Sequence, residues 1–92
     1  MMRPEPISKV EINTQGELCV YLESGGKSMY QHIYRQGRQV CWDQRLKAFQ
    51  APRPRKWSYS DWFSHIISVT NDVGIQLEVT PRTQWLNTPK IL

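Results

Sequence analysis

The chain has 92 residues, twelve Lys and Arg against eight Asp and Glu, and a formal net charge of +4, with a sequence pI near 9.3. That length holds a single domain, and area scaling gives burial of about 65% of the unfolded surface, a modest core. The basicity admits an anionic partner without demanding one. No apolar run reaches the eighteen or so residues of a membrane span, and the first residues, MMRPEPIS, lack a signal-peptide core, so a cytoplasmic protein is expected.

Met1 to Pro6 carries two prolines and no periodicity and is expected to be a flexible lead-in, residues 1–6. Residues 7–87 then form one domain. Val10 and Ile12 alternate with Lys9, Glu11 and Asn13; Gln15-Gly16 offers a turn; Leu18, Val20 and Leu22 alternate with Cys19, Tyr21 and Glu23. This predicts a β-hairpin. Because Cys19 and Tyr21 point away from the leucines, both faces of the sheet are expected to meet protein.

Ser24-Gly25-Gly26-Lys27-Ser28 ends like a phosphate-binding loop, but that loop needs a glycine where Tyr21 stands and must open a helix. A plain turn is the better reading. Residues 28–35 and 39–43 read as third and fourth strands, with Val40 and Trp42 inward, and Leu46 to Gln50 as a short fifth. Ala51-Pro52-Arg53-Pro54-Arg55-Lys56 is an extended basic connector, since its prolines exclude helix interior and central strand.

Trp57 to Thr80 carries the clearest pattern. Tyr59, Trp62, Phe63, Ile66, Ile67, Thr70 and Val73 recur every three or four residues, which predicts an amphipathic helix over about 59–73 with Asp61, Ser64, His65, Ser68 and Asp72 opposite. Ser58 or Ser60 can cap it, with Asp61 completing a capping box to Ser58. Gly74 stops it, and Ile75, Leu77 and Val79 alternate as a final strand over 75–80 that Pro81 closes. Pro81 to Asn87 is expected to be a turn laying Trp85 and Leu86 on the domain, with 88–92 loosely held. The fold class is therefore α+β: an antiparallel meander of about five strands against one helix, then a last strand.

The run Tyr34-Arg35, Val40-Cys41-Trp42-Asp43, Phe49 with Pro52, Trp57-Ser58-Tyr59, Asp61-Trp62-Phe63, Gly74-Ile75, Leu77, Thr80-Pro81, Thr83 and Trp85 resembles small proteins encoded by mobile integron gene cassettes. The resemblance spans most of residues 34–85. It implies a bacterial, cytoplasmic, compact α+β protein, often a dimer or larger oligomer and often without known activity. It carries over no catalytic residue.

Chemistry is sparse. Cys19, His32, Cys41 and His65 lack the short paired spacings of metal sites, and neither histidine is set beside a carboxylate by spacing, so no enzyme, metal or cofactor is expected. The cysteines read as reduced thiols. Four tryptophans and four tyrosines exceed what one thin core needs, which favours an interaction or small-ligand module that self-associates as a homodimer or higher oligomer, or meets a protein partner. The candidate interface or pocket residues are Trp57, Tyr59, Trp85, Tyr21, Tyr30 and Tyr34. The alternative is nucleic-acid binding, with Arg35, Arg38, Arg53, Arg55 and Lys56 holding phosphates beside stacking aromatics.

Overall fold

The computed structural model describes residues 4–27, 30, 40–51 and 58–88. The elements run β1 (Pro4–Ile12), β2 (Leu18–Leu22), β3 (Cys41–Asp43), β4 (Ala48–Ala51), α1 (Tyr59–Asp72) and β5 (Gln76–Leu86). The α+β class that the periodicities predict is the one observed. The predicted third strand, residues 28–35, lies outside the described residues except for Tyr30, whose N–H closes a turn on the Lys27 carbonyl.

The sheet is not a simple meander, and it is mixed rather than antiparallel throughout. Its order is β3-β4-β2-β1-β5, with β4 returning antiparallel beside β2 and β5 running parallel to β1. A parallel neighbour needs a crossover, and α1 supplies it by carrying the chain from β4 back across the sheet. The β1–β2 hairpin matches its prediction. Asn13 fixes the turn, its Oδ1 accepting from the Gln15 and Glu17 N–H groups at 3.0 and 2.9 Å.

β1 begins at Pro4, inside the expected lead-in, because Pro4 to Pro6 pair with Gln76 to Glu78. Register then shifts between Ile7 and Lys9 toward both neighbouring strands. Such a bulge lets Ile7 and Val10, three residues apart, both point inward, and both are fully buried. The same shift explains the largest departure from expectation: β5 does not end at Pro81 but runs on to Leu86. Opposite the bulge, β1 advances from Ile7 to Lys9 while β5 advances from Val79 to Gln84. Pro81 sits in that extra length on an outer strand, where a missing N–H costs no ladder bond.

α1 is built as its sequence predicts at the first turn. Ser58 Oγ accepts from the Asp61 N–H at 3.1 Å and the Asp61 carboxylate accepts from the Ser58 N–H at 3.2 Å, a complete capping box. At the other end Ile75 N–H reaches the Thr70 carbonyl at 2.8 Å and Gly74 N–H the Asn71 carbonyl at 3.1 Å. This Schellman closure needs the left-handed backbone of Gly74, φ 89°. The helix buries Trp62, Ile66, Val69 and Thr70. Val69 joins that face in place of Val73, which caps the helix beyond its last turn and stays 53% exposed.

Ile7, Val10, Leu18, Val20, Leu22, Phe49 and Ala51 of the sheet share one buried cluster with Trp62, Ile66 and Val69 of α1. Trp42 adds an aromatic wall, its ring 4.8 Å from Phe49. Each fully buried large side chain of this kind contributes roughly 1.5–3 kcal/mol.

Candidate functional site

The six aromatic candidates do not form one surface. Tyr30 is a correction to the expectation that it shares an exposed face with Tyr21. It is 4% exposed, its ring stacks 5.7 Å from Phe49 and meets Trp42 edge-on at 5.3 Å, and its hydroxyl donates to Glu5 Oε2 at 2.5 Å. Burial, then the bond and charge of Glu5, push its pKa well above the usual tyrosine value. Ser24 Oγ donates to the other Glu5 oxygen at 3.1 Å, so this carboxylate ties the start of β1 to the 24–30 segment. Tyr30 belongs to the core.

Tyr21 lies on the opposite face of the sheet, where Lys9, Glu11, Cys19, Gln50 and Cys41 alternate with the inward set through the registers Lys9↔Tyr21, Glu11↔Cys19, Cys19↔Gln50 and Cys41↔Gln50. Its hydroxyl donates to Glu11 Oε1 at 3.2 Å, and Lys9 Nζ stands 4.2 Å from its ring centre and 3.8 Å from Glu11 Oε1. Burial, with Cys19 and Glu11 adding negative charge, raises the Tyr21 pKa to about 12. Cys19, in the next cross-strand row, is fully buried and accepts from Gln50 Nε2 at 3.5 Å. Burial pushes its pKa upward. A buried thiol whose pKa is raised is a weaker nucleophile than a free one.

Tyr59, on α1, and Trp85, on β5, both pack against the core. Tyr59 donates its hydroxyl to the Gly16 carbonyl at 2.9 Å, and Trp85 packs edge-on against Phe63 with ring centres 5.8 Å apart. All three are half-buried and lie against the core with Ile12. One core therefore absorbs more of the aromatic content than composition suggests. Trp57 and Tyr34 lie outside the described residues.

The nucleic-acid candidates Arg35, Arg38, Arg53, Arg55 and Lys56 also lie outside the described residues, as does His32. Every acidic residue of the chain falls within them. His65 lies beside Trp62, rings 5.6 Å apart. Among the described residues no group of three or more His, Cys, Asp or Glu could hold a metal ion, and no helix is long and apolar enough to cross a membrane.

What the residue pattern did not reveal is the character of β5. It is one of the two outer strands of the described sheet, with β3 at the other side, and it exposes Val79 at 48% and Leu86 at 40%. Reading Pro81 as a stop hid this strand's length. The continued alternation through Thr83 and Trp85 was the available signal.

Comparison with known proteins agrees with the resemblance read from the residues. The family model described as Integron Cassette Protein Hfx_Cass5 matches residues 10–83. A solved structure from the mobile metagenome of the North West Arm Sewage Outfall, titled Integron Cassette Protein Hfx_Cass5, is 31% identical, with 98% of this chain and 88% of that chain covered and a TM-score of 0.49. No curated protein matches. With that model spanning well over half of the sequence, from the second half of β1 to the buried Thr83 of β5, the chain belongs to the Hfx_Cass5 integron cassette protein family.

Proposed function

We propose that the protein is a non-enzymatic interaction module, encoded on a mobile bacterial gene cassette and acting in the cytoplasm as a homo-oligomer. The observation that supports this reading is an outer strand with exposed apolar side chains: β5 is eleven residues long, has no described strand beyond it and exposes Val79 and Leu86 among Gln76, Glu78, Arg82 and Gln84. Long, apolar outer strands attract a partner unless something covers them. Half-buried Trp85 lies on the same strand. The Lys9–Glu11–Tyr21 cluster on the other face is satisfied internally and needs no ligand.

The test is the mass of the purified protein by light scattering over a range of concentrations, with an anionic oligonucleotide titrated in low salt. The reading predicts a mass above monomer and no salt-sensitive binding of the oligonucleotide. A strict monomer overturns it, and tight binding that collapses as salt rises replaces it with the nucleic-acid alternative.

A further inference from the structure

We draw no further inference here: the strongest candidate, the half-buried apolar patch where Phe63 of α1 meets Trp85 of β5 with ring centres 5.8 Å apart, carries none, because nothing in the structure shows what covers it.

Discussion

The hydroxyl of Thr83 stands between two strands, donating to the Ile7 carbonyl of β1 at 2.6 Å and accepting from Thr80 N–H of β5 at 2.9 Å. It joins backbone groups at the point where the β1–β5 register jumps. A side chain thus does the work of a ladder bond where the strands are out of step.

Replacing Thr83 with Val keeps the shape and removes both bonds, stranding a buried carbonyl and an amide. The expected loss is about 1–3 kcal/mol in urea unfolding. Thr83→Ser, which keeps the hydroxyl, should recover most of it. A Thr83→Val variant as stable as the parent would show that the two bonds of the hydroxyl carry no weight at this site.

Among the described glycines, Gly26 is the one the fold can least replace. A Cβ there would lie 2.3 and 2.4 Å from two carbons of the Trp42 ring, and its φ is +74°. Gly26→Ala must displace a buried indole that packs on Phe49 and Tyr30, and should cost roughly 2 kcal/mol or more. Gly25→Ala meets only Lys47 Cδ at 3.5 Å and should cost about 1 kcal/mol, for its left-handed backbone alone. Thermal unfolding of the two variants side by side checks the ranking.

The capping box makes a coupled prediction. Ser58→Ala should destabilise the protein by about 1 kcal/mol. Asp61→Ala should lose its return bond to the Ser58 N–H and its favourable place at the helix N-terminus. Because the bonds are reciprocal, the double variant should lose less than the sum of the two singles. Strict additivity in chemical denaturation would rule out a cooperative box.

Alkaline pH should weaken the fold. The Tyr21 pKa stands at about 12 against an ordinary 10.0, and burial raises Tyr30 as well. Raised folded-state values mean that the native protein holds these protons longer than the unfolded chain does. Their contribution is therefore complete below about pH 10 and is lost as pH climbs toward about 12. Urea midpoints across that interval should fall, and Tyr21→Phe should flatten part of the decline. An unchanged slope in that variant would remove Tyr21 from the account.

Local order in this chain was written into local residues. Ser58 with Asp61 marked the start of α1 and Gly74 its end, because capping and left-handed backbone are satisfied within one turn of chain. The β1–β2 hairpin was legible for the same reason: alternation on either side of Gly16 is a short-range property. Tertiary structure alone decided that β5 lies parallel to β1, because a crossover through a helix leaves no mark on the residues it joins. It also decided that Tyr30 is core while Tyr21 is not, since strand alternation cannot say what packs on each face. Pro81 shows the division most clearly. Read alone, it ends a strand, but beside a bulged β1 and at the sheet's outer side it is tolerated, and the strand runs on to expose the apolar surface on which the proposed function rests.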